Sequence, residues 1–134
     1  MAQSTIHLRV AFGETDAAGI VYFPNYLRWF DQGTEALFRS VGLASKQMLK
    51  DGCGAPIHEA HARYLAPLTF DDEIDVTSRV AEIRHRAFRV EHAIHRNGQL
   101  VCEGYEVRIW VRFNQPGQFC PEPLPDEVRS RLQG

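Results

Sequence analysis

The hydrophobic period of this chain changes twice, and that change restricts the folds open to it. Residues 4–12 (STIHLRVAF) alternate apolar and polar side chains, which places Ile6, Leu8, Val10 and Phe12 on one face of an expected strand. After the turn-rich GETDAAG, the residues Leu27, Phe30, Leu37, Phe38 and Val41 recur at near-helical spacing. Pro24 suits the first turn of that helix, where its missing N–H costs nothing, and Gly42 suits the position past its end. The spacing predicts a helix over residues 24–41. Gly33 inside it costs about 1 kcal/mol against alanine, which fits a place where another backbone approaches closely.

A shorter helical piece is expected over 45–51, and from Ala55 onward the period returns to two. Strands are expected over 56–66, 73–83 (Ile74, Val76 and Val80 on one face), 87–96 (Phe88, Val90, His92 and Ile94) and 100–113 (Val101, Tyr105, Val107, Ile109, Val111 and Phe113). Arg84-His85-Arg86 reads as a turn, and Asn97-Gly98 as a hairpin turn, because both of its residues tolerate positive φ. The tail PEPLPDEVRSRL closes in one or two helical turns. Five mostly antiparallel strands and one long apolar helix predict an α+β layer arrangement, with the helix covering the greasy face of the sheet. A length of 134 residues fits a single domain, residues 1–134, with one core. The other sheet face is polar, and an oligomer contact there or at an edge is expected.

A net charge of −2 argues against nucleic acid as a partner, although a local basic patch is compatible with it. No run approaches 18 apolar residues, so no membrane span is expected. MAQSTIHLRV lacks a charged leader followed by an apolar stretch, which makes a cytoplasmic location the default. Cys53, Cys102 and Cys120 are widely spaced, and buried or partly buried free thiols are expected rather than disulfides or a zinc site. His58 and His61 are three apart, as are His92 and His95; on strands that spacing separates each pair onto opposite faces, so no metal site is expected.

The chemistry-bearing segment is 12–31, FGETDAAGIVYFPNYLRWFD. Asp16 stands at the entrance to the long helix. Aspartate there is commonly a cap. It also suits a base or nucleophile, with the free N–H groups of the helix N-terminus facing an anion or a polarised carbonyl oxygen. Spacing leaves both readings open. Asp31 either lines a pocket or holds a neighbouring group; Glu35 lies one turn later, and a polar helix face or subunit contact would explain both. His58 either lines an acyl pocket or is a hydrogen-bonded sheet histidine. Arg84 and Arg86, with Arg89 nearby, form a basic cluster that on its own reads as a solvated hairpin.

The run Asp16-Ala17-Ala18-Gly19-Ile20-Val21-Tyr22-Phe23-Pro24-Asn25-Tyr26 resembles the opening block of the 4-hydroxybenzoyl-CoA thioesterase family of the hotdog superfamily: aspartate, two residues, Gly-[IV]-V, an aromatic pair and P-N-Y. Tyr64-Leu65-Ala66-Pro67-Leu68 with Phe70-Asp71-Asp72 resembles its second block, and the resemblance covers roughly residues 5–113. It implies a hotdog fold, in which the sheet wraps the long helix, and hydrolysis of an acyl-CoA thioester. No cofactor is implied, since coenzyme A belongs to the substrate. Asp16 would be the catalytic carboxylate, either attacking the thioester to give an anhydride or deprotonating the attacking water. The Phe23 backbone N–H would polarise the thioester carbonyl, a donor typically worth about 3 kcal/mol in the transition state. Gly19, Tyr22 and Tyr26 from the same block, with Asp31 and His58, are the expected substrate contacts. Some hotdog thioesterases use a helix glutamate instead of the aspartate, which makes Glu35 a minor candidate.

In the resembling family a basic stretch at Arg84, Arg86 and Arg89 contacts coenzyme A phosphates, work that suits the planar donor fork of arginine. The acyl site and this turn would then come from different subunits, which implies a homodimer or homotetramer. The Tyr-Phe-Pro-Asn-Tyr run is similar to members acting on aromatic acyl groups, and lacks the histidine common in the aliphatic clade. The expected substrate is a benzoyl-type thioester, with short aliphatic acyl-CoA or acyl-carrier-protein substrates as the alternative. A hotdog hydratase would place a histidine five residues after the aspartate, where this chain has Val21. A non-catalytic acyl-CoA-binding protein is the alternative of another class.

Overall fold

The computed structural model describes all 134 residues. In chain order the elements are strand β1 (Gln3–Arg9), the long helix α1 (Pro24–Ser40), a short helix α2 (Ser45–Lys50), and strands β2 (Cys53–Gly54), β3 (Ile57–Tyr64), β4 (Glu73–Ile83), β5 (Ala87–Arg96), β6 (Gln99–Ile109), β7 (Val111–Gln115) and β8 (Gln118–Pro121). A closing helix, α3 (Asp126–Gln133), completes the chain. Five strands form one antiparallel sheet in the order β1-β4-β5-β6-β3, and α1 packs against all five in the hotdog arrangement.

Pro24 occupies the first turn of α1, and Gly42 ends it in the left-handed region at φ 78°. The Gly42 and Leu43 N–H groups close back onto the Arg39 and Phe38 carbonyls. Asn97 and Gly98 both take positive φ and join β5 to β6, as their composition predicts.

Two apolar clusters flank the middle of α1. Toward its N-terminus, Tyr26, Trp29 and Phe30 pack with Leu68, Ile74, Val76, Ile94 and Cys102. Toward its C-terminus, Leu37 and Phe38 pack with Val80, Phe88, Val90, Trp110 and Leu132. Between them lies a polar layer of Thr34, Ser78, His92, Glu106 and Arg108, all buried. Gly33 belongs to this layer. A Cβ there would stand 2.3 Å from Ser78 Oγ and 3.3 Å from Val76, so the close approach is by side chains rather than by a backbone.

Several expectations need correction. Phe12 does not extend the face of β1. A 3-10 turn over Phe12–Glu14 takes the chain out of the strand, and Phe12 lies exposed against Phe70. Leu27 is on the exposed side of α1, and Trp29 takes the buried place instead. The expected strand over 100–113 is two strands broken at Trp110, whose N–H donates to the Arg86 carbonyl. Its second half, β7, joins β2 and β8 in a separate three-stranded sheet. Over residues 104–108 the face assigned to β6 is also reversed, while Val101 is in the core as expected. Gly104, Glu106 and Arg108 point at α1, and a glycine and two charges do not register in an apolar count. Cys120 is exposed, while Cys53 is half-buried and Cys102 buried; all three are free.

Gly104 is required by packing. A methyl group there would stand 2.0 Å from the His61 carbonyl oxygen and 2.8 Å from the Phe30 ring. Gly104→Ala is expected to destabilise the fold by about 1–3 kcal/mol, read as a lower urea midpoint with an unchanged slope.

Candidate active site

The segment between β1 and α1 folds back on itself around Asp16. Thr15 and Val21 pair across it, the Asp16 N–H donates to the Ile20 carbonyl, and the Gly19 N–H donates to the Asp16 carbonyl, both at 2.9 Å. Gly19 holds φ 83°, a region that costs other residues their Cβ clearance. The loop is also tied to the segment that follows β3. The Val21 N–H donates to the Leu68 carbonyl, and Thr69 Oγ1 donates to the Gly19 carbonyl at 3.2 Å. Tyr64 Oη donates to the Phe23 carbonyl at 3.1 Å. The two blocks singled out in the sequence are therefore in contact.

Asp16 does not cap α1. Its Oδ1 accepts the Ala18 N–H within its own turn at 2.9 Å, and the cap position is Phe23, which has no side-chain cap. The carboxylate is exposed. The Phe23 N–H donates to no acceptor in the chain. Next to it Pro24 has no N–H, so Phe23 presents a free donor at the positive end of the α1 dipole. Tyr22 and Phe23 are exposed and pack edge to face at 5.2 Å between centroids. A carboxylate and a free main-chain donor at a helix mouth can activate a nucleophile and stabilise an oxyanion, the two needs of acyl transfer.

The remaining candidates are distributed more widely. Tyr26 is buried against Trp29 and Tyr64, with its hydroxyl pushed up to about 12, chiefly by burial, so it braces the helix mouth from beneath. Asp31 lies about 12 Å along the helix axis from Phe23. Its Oδ1 accepts Arg108 Nη2 at 2.8 Å, and its side chain is 53% exposed, leaving Oδ2 open. Glu35 accepts Ser45 Oγ and joins α1 to α2. His58 is exposed on β3 at a bulge.

Arg84 and Arg86 are exposed at the β4–β5 turn, with the Arg84 guanidinium on Glu82 at 3.1 Å. That turn lies at the far end of β4, whose near end adjoins the Leu68–Asp72 connection. Eleven strand residues separate them, about 35 Å. Within one chain the basic turn and the Asp16 loop are therefore not brought together. Arg89 lies over the Tyr105 ring at 3.8 Å on the outer sheet face, beside a hollow lined by His61, Arg63, Arg79 and Glu91.

The buried polar layer contains a second constellation that the sequence reading missed. Ser78 Oγ lies 2.8 Å from His92 Nδ1, and His92 Nε2 lies 3.3 Å from Glu106 Oε1, the connectivity of a hydrolytic triad. All three side chains are sealed under α1 with exposures of 2% or less, so no substrate reaches the serine. The layer is structural. Glu106 also accepts Thr34 Oγ1 and Arg108, which fastens α1 to β6. Burial pushes the Glu106 carboxyl up, but its hydrogen bond to His92 and the charge of Arg108 outweigh that, leaving it at about 2. Glu106 and Arg108 two apart on a strand share a face, and that spacing was the available signal.

The other residue missed is Glu14, whose bonds surround the Asp16 loop. No three His, Cys, Asp or Glu side chains converge as metal ligands, and no helix is long and apolar enough to cross a membrane.

Comparison with known proteins gives a consistent picture. Residues 10–132 match the family model described as the thioesterase-like superfamily. The chain is 33% identical to a 4-hydroxybenzoyl-CoA thioesterase of Pseudomonas sp. (strain CBS-3) over 120 residues, covering 83% of this chain and 85% of that one. It is 33% identical to a 1,4-dihydroxy-2-naphthoyl-CoA hydrolase of Thermosynechococcus vestitus over 132 residues, covering 96% and 87%. Among solved structures, a gentisyl-coenzyme A thioesterase superposes with a TM-score of 0.87 at 33% identity, covering 96% of this chain and 99% of that one. A 4-hydroxybenzoyl-CoA thioesterase mutant in complex with 4-hydroxybenzoyl-CoA superposes with a TM-score of 0.89 at 26% identity, covering 98% and 99%.

Proposed function

The chain belongs to the thioesterase-like superfamily, and on that premise we propose that it hydrolyses an aromatic, benzoyl-type acyl-CoA to the free acid and coenzyme A. The observation that carries this reading is the exposed Asp16 carboxylate in a closed loop, beside a helix N-terminus whose Phe23 N–H is unengaged.

In this reading Asp16 acts in one of two ways. As nucleophile, a carboxylate oxygen attacks the thioester carbonyl carbon, the C–S bond breaks, and water hydrolyses the resulting anhydride. As general base, it takes a proton from the water that attacks the same carbon. In either case the carbonyl oxygen gains negative charge, and the Phe23 N–H donates to it. The leaving group is a thiolate, which lessens the need for a dedicated acid. The exposed Tyr22 ring offers a face for an aromatic acyl group, Gly19 keeps the loop turned toward it, and Asp31 and His58 complete the polar contacts.

Arg84, Arg86 and Arg89 are the proposed phosphate contacts. Their distance from the Asp16 loop within one chain favours a site shared between copies. The free edge of β3 supports the same idea. It is the last strand of the sheet, its residues are mostly exposed, and Tyr64 at its end touches exposed Phe23 through its hydroxyl. A second copy docking there would cover an unpaired edge. The assembly is therefore proposed to be a homodimer or a homotetramer.

Relatives named for 4-hydroxybenzoyl-, dihydroxynaphthoyl- and gentisyl-CoA favour an aromatic acyl group over an aliphatic one. A panel of acyl-CoA thioesters read by thiol release tests this preference. The expected kcat/KM for benzoyl-type substrates exceeds that for short aliphatic ones by at least about 10-fold. The reverse order would move the assignment to an aliphatic thioesterase.

A further inference from the structure

We propose that Glu14 is a positioning residue for the Asp16–Phe23 site, an inference that rests on the thioesterase reading. Glu14 accepts four hydrogen bonds that enclose the loop. Its Oε1 accepts the Ala11 N–H at 2.7 Å, and its Oε2 accepts Trp29 Nε1–H at 3.1 Å. Its carbonyl oxygen accepts the Tyr22 N–H at 2.9 Å and Asn25 Nδ2–H at 2.8 Å.

These four bonds join three parts of the chain: the exit from β1, the residues on either side of Phe23, and the second turn of α1. Asp16 lies two residues after Glu14. Phe23 lies between Tyr22 and Asn25, both held by the Glu14 carbonyl. Glu14 thus links the placement of the carboxylate to that of the oxyanion donor, alongside the loop's own main-chain bonds. The side chain matters separately from the carbonyl. It binds Trp29, which is buried in the core beneath the helix mouth, and so anchors the loop to a rigid element. Without the carboxylate, the indole N–H is left buried and unpaired, and the start of the turn loses its cap. Glu14 touches no reacting atom in this arrangement; it acts through the geometry of Asp16 and Phe23. A displacement of about 1 Å in such groups can lower turnover on the order of 100-fold.

The test compares wild type, Glu14→Ala and Glu14→Gln by steady-state kinetics and by amide hydrogen exchange. Glu14→Ala is expected to lower kcat about 10- to 100-fold with KM changed less than about threefold. Exchange over residues 15–23 is expected to quicken while β4, β5 and β6 stay protected. Glu14→Gln keeps one acceptor oxygen and is expected to recover part of kcat. If Glu14→Ala does not fold, Trp29→Phe removes the indole donor while keeping an aromatic ring in the core, and a several-fold fall in kcat is expected. A folded Glu14→Ala variant with wild-type kcat, or with unchanged exchange over residues 15–23, overturns the proposal. If wild type releases no thiol from any acyl-CoA, the hydrolase reading fails by itself. Exchange then decides for Glu14: quickening upholds its hold on the loop, and no change overturns it.

Discussion

Asp16→Asn is expected to lower kcat by at least about 10²-fold, the lower range for loss of a general base, and by more if Asp16 is the nucleophile. The substitution isolates the charge. Asparagine keeps a side-chain oxygen to accept the Ala18 N–H, so the turn that holds position 16 survives. The main-chain bonds from Asp16 to Ile20 and from Gly19 to Asp16 do not involve the side chain. Because the residue is exposed, the melting temperature should stay within about 3 °C of wild type. A folded variant with wild-type kcat would remove Asp16 from the mechanism.

The second large effect lies in the buried layer. Glu106→Ala removes the acceptor shared by Thr34, His92 and Arg108, and leaves a guanidinium under α1 with only the half-exposed Asp31 as counter-charge. Breaking a buried pair from one side typically costs about 3–5 kcal/mol. For a domain of this length, that is a fall in melting temperature of roughly 10–20 °C. The pH dependence follows from the same carboxyl. Its folded pKa of about 2 lies below the ordinary 4.5, so its stabilisation is fully present above about pH 4.5 and is lost as pH falls toward 2. The loss amounts to about 3 kcal/mol over that window. Denaturant titrations at several pH values should show this fall in wild type. Glu106→Gln, with no group to protonate, should lack that part of it.

The fold was legible wherever burial follows an apolar period. The α1 helix, its Pro24 start and Gly42 end, the Asn97-Gly98 turn and the faces of β4 and β5 all came from spacing and turn chemistry. The failures have one cause in common. Phe12, Leu27 and the 100–113 run were assigned by counting apolar side chains. On β6 the structure instead turns a glycine toward α1 and buries a glutamate and an arginine beside it, because a hydrogen-bonded ion cluster satisfies those charges. The break at Trp110 depends on a hydrogen bond to Arg86, distant in sequence and invisible to periodicity.

The candidate site divides in the same way. The Asp16 loop was recognisable as a contiguous motif, and the contact between its two blocks agrees with that reading. Glu14 and Trp29 were passed over because a bond fifteen residues long across a helix start leaves no spacing signature. The Arg84–Arg86 turn shows the opposite limit. Its composition is plain in the sequence, but its relation to Asp16 depends on an assembly that one chain does not contain.

Hydrolysis of an aromatic acyl-CoA thioester is measured as thiol release from 4-hydroxybenzoyl-CoA by the purified wild-type chain. A saturable rate is expected, with kcat/KM of at least about 10⁴ M⁻¹s⁻¹, the lower end of the usual range for enzymes. Thiol release no faster than in buffer, from protein that is folded and binds the thioester, would contradict it and leave an acyl-CoA-binding protein in its place.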